Sequence, residues 1–86
     1  MQVHLRYFAG LRELVGHEQE TLDFPEETDV AAARAALAER YPVTAALLTR
    51  CIAAVNRSYV TPDRALAPGD ELAFIPPLGG GSPWSL

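Results

Sequence analysis

One segment of this chain has the length and spacing of a full helix, and it limits the folds open to the other residues. Thr28 and Asp29 are N-cap candidates before it, and Pro42 ends it. A partner-binding helix would show the same pattern, but a chain of 86 residues with so few elements needs this helix for its own core. Its apolar positions recur at the three- and four-residue spacing of one helix face: Val30, Ala33, Leu37 and Tyr41.

Short segments with strand character surround this helix. In residues 2–8 apolar and polar side chains alternate, which is typical of a half-buried strand. Hairpins that flank one helix predict an α+β fold, a two-layer roll in which a mixed sheet packs on one main helix. The other predicted strands cover residues 18–24, 51–55, 58–61 and 72–75.

Turn signals and short helical segments connect these strands. Residues 9–15 have apolar side chains on one face, and Gly16 is a natural helix stop. Residues 44–50 predict another short helical turn. Asn56-Arg57 is a hairpin turn candidate, although Asn-Gly would be a stronger one.

Composition excludes several classes of function. The formal net charge is −4 and no basic cluster occurs, which argues against binding to nucleic acid or to an anionic membrane. No apolar run approaches the ~18 residues of a membrane span, and the first residues lack a signal-peptide pattern, so we expect a cytoplasmic protein. All seven basic residues are arginines, so no lysine side chain here can accept an isopeptide bond.

The residues that commonly bind metals or act as nucleophiles are few and scattered. His4 falls on the polar side of the first strand, His17 lies in a turn, and Cys51 begins an apolar strand. Cys51 is expected to be a small core residue, since no nearby histidine or cation would favour the thiolate. The sequence therefore predicts no metal site and no bound cofactor.

The last predicted strand ends in an unusual way. It continues as Phe74-Ile75-Pro76-Pro77-Leu78-Gly79-Gly80-Gly81, followed by Ser82–Leu86. The two prolines end the strand because proline cannot donate to a sheet ladder, whereas glycine is the thinnest and most pliable residue. One interpretation is a frayed terminus; the other is a slim tail that enters a narrow active site of another protein. A terminal carboxylate is a poor acyl donor until ATP activates it as an acyl-adenylate.

Three segments of the chain resemble the small subunits of molybdopterin synthase, a ubiquitin-like β-grasp family. They are residues 5–16 (Leu-Arg-Tyr-Phe-Ala-Gly-Leu-Arg-Glu-Leu-Val-Gly), residues 52–56 (Ile-Ala-Ala-Val-Asn) and the closing residues 66–81, which include Pro-Gly-Asp and Pro-Pro-Leu-Gly-Gly-Gly. The resemblance implies a β-grasp domain at residues 1–78 and a flexible tail at 79–86. It implies a sulfur-donating subunit that is not itself a self-sufficient enzyme.

The resemblance also implies partners and site residues. A ubiquitin-activating-type adenylyltransferase would use ATP to adenylate Gly81, and a persulfide sulfur donor would convert it to a thiocarboxylate. The tail would then enter the large synthase subunit and give its sulfur to cyclic pyranopterin monophosphate, with Gly80 as the second thin position. Phe74 matches a family interface position, so we expect it to be partly exposed. The residues implied to contact partners are Phe74, Pro76, Pro77, Leu78 and Gly79.

Several alternatives remain open at the level of sequence. A ubiquitin-like modifier, or a sulfur carrier for tRNA thiolation or cysteine synthesis, would share the tail chemistry, and a plain binding domain would not need it. Because three glycines occur in a row, the mature end could be Gly80 instead of Gly81. Ser82–Leu86 is either an artificial addition or a natural extension that a processing protease removes, and we favour the extension.

Overall fold

A mixed sheet of five strands packs against one long helix in the computed structural model, which describes residues 1–77. The predicted α+β roll is confirmed, and a 3-10 turn at Pro42–Thr44 leads from the long helix to the last one. The strands are β1 (Gln2–Tyr7), β2 (Gln19–Asp23), β3 (Ile52–Val55), β4 (Ser58–Tyr59) and β5 (Glu71–Ile75). The helices are α1 (Ala9–Val15), α2 (Val30–Arg40) and α3 (Ala45–Leu48).

The last described strand lies in the middle of the sheet. The strand order is β2-β1-β5-β3-β4, so β5 pairs with β1 on one side and with β3 on the other. The β1–β5 pair is parallel and the other pairs are antiparallel, as expected for a mixed sheet. A parallel pair requires a crossover connection, and here nearly the whole chain lies between its two strands.

Helix α2 begins and ends as the sequence predicts. The Asp29 side chain accepts a hydrogen bond from the backbone N–H of Ala32 at 2.8 Å, which satisfies one of the unpaired donors of the first turn. The helix ends at Arg40, just before Pro42 starts the 3-10 turn. Its buried positions are the predicted apolar ones, Val30, Ala33 and Leu37.

Two predicted turns are also confirmed. Gly16 ends α1 with a positive φ of 96°, and its N–H donates to the carbonyl oxygen of Arg12 at 2.9 Å. Asn56 and Arg57 connect β3 to β4 with φ values of 50° and 68°, the positive pair that a type I′ hairpin turn requires.

The core fills the space between the helices and one face of the sheet. Alternate residues of β1 and β5 point into it, and the β1–β5 register places Leu5 beside Leu72 and Tyr7 beside Phe74. Cys51 is buried and unpaired, as predicted. Within this core, the apolar residues nearest to full exclusion from solvent are Val3, Leu5, Leu11, Val30, Ala33, Leu37, Leu72 and Phe74.

Candidate functional site at the end of the central strand

The candidate site begins where β5 leaves the sheet. Because β5 is central, the chain departs from between β1 and β3 and not from an edge. Ile75 is its last paired residue and lies opposite Ile52. Pro76 is buried and Pro77 is exposed. Proline has no N–H to donate, so the pair ends the ladder at this point and directs the chain away from the sheet.

The prediction that Phe74 is partly exposed is wrong. Its side chain is 0% exposed and belongs to the hydrophobic core. The physical reason is the register: Phe74 lies beside Tyr7 of β1 and opposite Ala53 of β3, whose side chains also point toward the helices. Phe74 therefore cannot contact a partner in this conformation. The neighbouring residue Ile75 has the opposite orientation, because side chains alternate along a strand.

An apolar patch occupies the face of the sheet that the helices leave uncovered. Ile52 is 51% exposed and lies opposite Ile75, while Tyr59 is 56% exposed and lies opposite Ala54. Between them Ala54 pairs with Ala73, and both of these small side chains are buried by their neighbours. We call these five residues the outer patch: Ile52, Ala54, Tyr59, Ala73 and Ile75.

The patch extends toward the start of α1. Arg6 is the β1 neighbour of Ala73 in the parallel register, and its guanidinium carbon lies 5.1 Å from the centre of the Phe8 ring. Phe8 directly follows β1 and is partly exposed. An aromatic ring, a cation and branched apolar side chains therefore surround the point where the chain leaves the sheet, a composition typical of protein-binding surfaces.

Cys51 lies close to this point but is not poised for sulfur chemistry. It directly precedes Ile52, and its thiol is placed 3.3 Å from the carbonyl oxygen of Leu47. Burial raises the pKa of the Cys51 thiol to about 11, although Arg34 and Arg50 partly oppose this shift. At neutral pH the side chain is therefore a buried thiol and a poor nucleophile.

The remaining predicted site residues lie outside the described part of the chain. Leu78, Gly79, Gly80 and Gly81 belong to this group, as do the boundary after residue 78 and the extension. The structure adds residues that the pattern alone did not single out, namely Ile75, Ile52, Tyr59 and Phe8. The alternation of Phe74 and Ile75 was visible in the sequence, but which of the two faces the core depended on strand pairing.

Residues 1–77 contain neither a metal-binding cluster nor a membrane-spanning helix. No group of three or more histidine, cysteine, aspartate or glutamate side chains is placed there to hold a metal ion. None of the helices in that part of the chain is long and apolar enough to cross a membrane.

Comparison with known proteins identifies similar chains over almost the full length. Residues 5–81 match the ThiS family. A molybdopterin synthase sulfur carrier subunit from Chlamydomonas reinhardtii is 35% identical over 83 residues, which cover 94% of this chain and 100% of that protein. The protein of the same name from Escherichia coli (strain K12) is 37% identical, over 92% of this chain and 99% of its own length.

A solved structure shares the arrangement of strands and helices. The Haloferax volcanii small archaeal modifier protein 1 superposes with a TM-score of 0.80 at 26% identity, and the match covers 90% of this chain and 98% of that one. Two descriptions thus occur among the similar proteins, a sulfur carrier and a protein modifier.

Proposed function

This chain belongs to the ThiS family, and on that premise we propose that it is the sulfur carrier subunit of a molybdopterin synthase. The observation that supports this proposal is the match to residues 5–81, which runs through the central strand and the two prolines to Gly81. Curated relatives with that name match at 35% and 37% identity over nearly all of the chain.

In the proposed reaction Gly81 supplies the reacting carboxylate. A carboxylate oxygen attacks the α-phosphate of ATP on a ubiquitin-activating-type adenylyltransferase, and pyrophosphate leaves. The terminal sulfur of a persulfide donor then attacks the glycyl carbonyl carbon, and AMP leaves. A thiol of the donor attacks the resulting acyl disulfide, which releases the glycyl thiocarboxylate and leaves a disulfide on the donor. Glycine suits this chemistry because its carbonyl is unhindered and because Gly80 leaves room for a narrow channel. The carrier itself binds no cofactor and acts in the cytoplasm, and ATP is consumed by the activating enzyme.

The sulfur must come from another protein. Cys51 is the only cysteine of the chain, and it is buried with a raised pKa. It therefore supports packing and does not form a persulfide for the tail. The carrier contributes the acyl group, a stable β-grasp body and a docking surface.

We propose that the large synthase subunit docks on the outer patch while the tail enters its active site. The patch surrounds the strand end, so one partner can cover Ile75 and receive Pro76 and Pro77 at the same time. Exposed Ile52 and Tyr59 provide the apolar area, and tyrosine is one of the residues that most often contribute strongly to affinity at the centre of an interface. In the large subunit the thiocarboxylate gives its sulfur to cyclic pyranopterin monophosphate.

We further propose that the 86-residue chain is a precursor. Gly81 is followed by Ser82, so its carbonyl is part of an amide and has no carboxylate oxygen to attack ATP. Trp84 and Pro83 are also too bulky and stiff for a channel that accepts only glycines. A protease that cleaves after Gly81 would release the working carrier.

Thiocarboxylate formation tests both parts of the proposal. Chains that end at Gly80, Gly81 and Leu86 are incubated with the activating enzyme, ATP and a persulfide donor, and intact masses are measured. The chain ending at Gly81 should exchange one oxygen for sulfur, and the chain ending at Leu86 should not. Equal sulfur incorporation into the uncut chain would refute the precursor proposal.

Sulfur transfer then tests the pathway. The thiocarboxylated chain is mixed with the large synthase subunit and cyclic pyranopterin monophosphate, and molybdopterin is quantified. Formation of a tight complex and of product supports the proposal. A thiocarboxylate that forms but is not consumed by the large subunit would instead point to another sulfur acceptor, such as a tRNA-thiolating or cysteine-forming enzyme.

A second candidate function is a protein modifier. It is favoured by the superposition on small archaeal modifier protein 1, with a TM-score of 0.80. Because the chain contains no lysine, it could be attached to other proteins but could not receive a copy of itself on a lysine side chain. Glycyl isopeptide adducts on cellular lysines, found by peptide mass spectrometry, would support this function. A plain binding domain would lose no activity when Gly80 and Gly81 are deleted.

A further inference from the structure

We propose that a groove between β2 and α2 binds an extended, acidic segment of a partner protein as an added strand. The groove has a volume of about 400 Å³ and lies away from the outer patch. The ligand would hydrogen-bond to the backbone of β2, place an apolar side chain in the groove and direct a carboxylate to Arg40. The groove is lined by Leu22, Asp23, Phe24, Pro25, Ala36, Leu37 and Arg40.

β2 is an edge strand of the sheet, and its outer side is open to another strand. This strand lies at one end of the sheet and pairs only with β1 among residues 1–77. The N–H of Tyr7 donates to the carbonyl oxygen of Glu18, and the N–H of Phe24 donates to the carbonyl oxygen of Met1. The backbone N–H and C=O groups of the even-numbered residues in and beside β2 therefore point toward β1. In an antiparallel pair, the backbone N–H and C=O groups of the intervening residues point away from the partner strand. The N–H and C=O groups of Thr21 and Asp23 therefore face outward, available to an added strand.

The second support is the character of the groove beside that edge. Leu22 is only partly buried, and Phe24 and Leu37 lie beneath it in the core. Ala36 is exposed and small, so the helix side of the groove stays open. A strand added to β2 would point every second side chain toward this space, where one branched apolar residue would fill it.

The third support is the charge at one end. Arg40 is exposed, its Nε donates to the hydroxyl of Tyr41 at 3.3 Å, and its guanidinium carbon lies 5.6 Å from the Tyr41 ring centre. No carboxylate among residues 1–77 forms an ion pair with it. The nearby carboxylate of Glu20 already accepts from Tyr41 at 2.6 Å. Arg40 is thus the cation available to a ligand carboxylate.

Among residues 1–77, Arg40 is the one cation that lines the groove, and it lies at the end of α2, which sets the polarity of the ligand. The carboxylate of Asp23 points to the other face of the sheet, because side chains alternate along β2 and Leu22 faces the core, and one of its oxygens lies 3.6 Å from the amine of Met1. An acidic residue of the partner would be attracted to the Arg40 end. The expected ligand therefore has its acidic residues at one end of a short apolar core.

This groove can be occupied while the tail is in use. Val3 pairs with Leu22 at the groove, whereas Tyr7 pairs with Phe74 near the tail. These points are separated by four residues along the strands and by two strand spacings, or ~13 Å by ~10 Å. The partner of the groove could hold the carrier while a different protein processes its tail.

Peptide titrations followed by NMR test the proposal on the full chain. The probes are two blocked peptides, Asp-Asp-Val-Ile-Val-Thr and Thr-Val-Ile-Val-Asp-Asp, together with versions that carry lysines in place of the aspartates. One acidic peptide should bind saturably, with a Kd of about 1 mM or tighter. It should shift the amide signals of Thr21 and Asp23 and the methyl signals of Leu22 and Leu37. The lysine peptides should bind more weakly.

Variants decide whether the groove is responsible. Ala36→Trp should fill the groove and abolish binding, whereas Ala35→Trp makes the same change at an exposed helix position outside it and should leave binding unaltered. Arg40→Glu should reverse the preference in favour of the lysine peptides, and this outcome can be measured even if Ala36→Trp does not fold. The proposal is overturned if no peptide shifts the β2 and α2 signals, if shifts occur only at the outer patch, or if Arg40→Glu leaves the preference unchanged.

Discussion

The guanidinium carbon of Arg34 lies 4.9 Å from the centre of the Phe74 ring. A cation on α2 therefore packs against an aromatic ring of the central strand β5. The same side chain donates through Nη1 to the carbonyl oxygens of Leu48 and Cys51, the latter at 3.0 Å. Arg34 therefore joins α2 to the connection between α3 and β3. Its contacts explain how a charged residue can lie against a core aromatic ring, since Nη1 donates to two carbonyl oxygens, one at the end of α3 and one just before β3.

Replacing Arg34 should destabilise the fold. Arg34→Ala removes a cation–π contact and charge-assisted hydrogen bonds, and we expect a loss of about 2–3 kcal/mol in the free energy of unfolding. Arg34→Lys should lose less stability than Arg34→Ala, because an ammonium keeps the charge. It should still be less stable than the unaltered chain, since an ammonium reaches fewer carbonyl groups. Urea unfolding measures both. Arg12→Ala is the control: that side chain is exposed and 3.9 Å from Glu18, so its loss should cost less than about 1 kcal/mol. Equal effects at both positions would contradict the role of Arg34.

Substitutions at Phe74 and Ile75 should have different effects, the first on stability and the second on partner binding. Phe74→Ala should lower the free energy of unfolding by about 3–5 kcal/mol, because it empties a fully buried site. Ile75→Ala should cost less stability but weaken binding to the large synthase subunit by at least about 1 kcal/mol. Denaturant unfolding and calorimetric titration measure the two quantities. If Ile75→Ala binds like the unaltered chain, the outer patch is not the docking surface.

Glu20 should make stability fall at acidic pH. Its Oε2 accepts from the hydroxyls of Tyr7 and Tyr41, each at 2.6 Å, and lies 3.4 Å from Nε2 of His17. Burial by itself raises the pKa of Glu20, but hydrogen bonds from Tyr41, Tyr7 and His17 outweigh it, so the net pKa is lowered from 4.5. A folded-state pKa below the unfolded value means that the contribution is complete above the unfolded pKa and is lost as the pH falls through the folded one.

Glu20→Gln is the test of this pH dependence. The variant should be less stable than the unaltered chain at pH 7, and the difference should shrink as the pH falls below 4.5, the unperturbed pKa of the carboxyl group. Urea unfolding at several pH values measures the difference. Glu39→Gln controls for the loss of one charge, because Glu39 is exposed on α2. A difference between the Glu20 variant and the unaltered chain that stays constant from pH 7 to pH 3 would contradict the prediction.

Arg57→Gly should stabilise the β3–β4 hairpin. Arg57 adopts a φ of 68°, which is unfavourable for a residue with a Cβ, and Asn-Gly is the preferred pair for a type I′ turn. The substitution loses an exposed ion pair with Glu71 at 3.4 Å, a contact of small value. The expected gain is up to about 1 kcal/mol in the free energy of unfolding. A loss of more than that amount would show that the contact with Glu71 outweighs the backbone strain.

Asn56→Asp should be destabilising in a way that depends on pH. The Asn56 Nδ2 donates to Oδ1 of Asp70 at 3.0 Å, and its Oδ1 accepts from the backbone N–H of Glu71 at 3.0 Å. Aspartate keeps the acceptor but places a second carboxylate against largely buried Asp70. The expected loss at pH 7 is about 2 kcal/mol or more, and it should diminish at low pH as one carboxylate gains a proton. Asn56→Gly is the control, since it removes both side-chain hydrogen bonds and adds no charge.

Local patterns in the sequence predicted most of the elements. Alternation in residues 2–8 marked β1, and helical spacing with Asp29 and Pro42 marked α2 to within one residue. Asn56-Arg57 predicts a turn, and both residues adopt the positive φ of one. These features depend on neighbours along the chain: backbone dihedral preferences, capping and the periods of helix and strand act over a few residues. The prolines after Ile75 ended the last strand for the same reason.

Long-range pairing decided the rest. Alternation showed that Phe74 and Ile75 face opposite ways, but only the parallel register with β1 placed Phe74 beside Tyr7 in the core and Ile75 outside. The contact of Arg34 with Phe74 joins residues 40 positions apart, and the bonds of Glu20 to Tyr41 join residues 21 positions apart. Such contacts form because burying the apolar face of the sheet on α2 fixes the register of every strand at once. No short stretch of sequence contains that information.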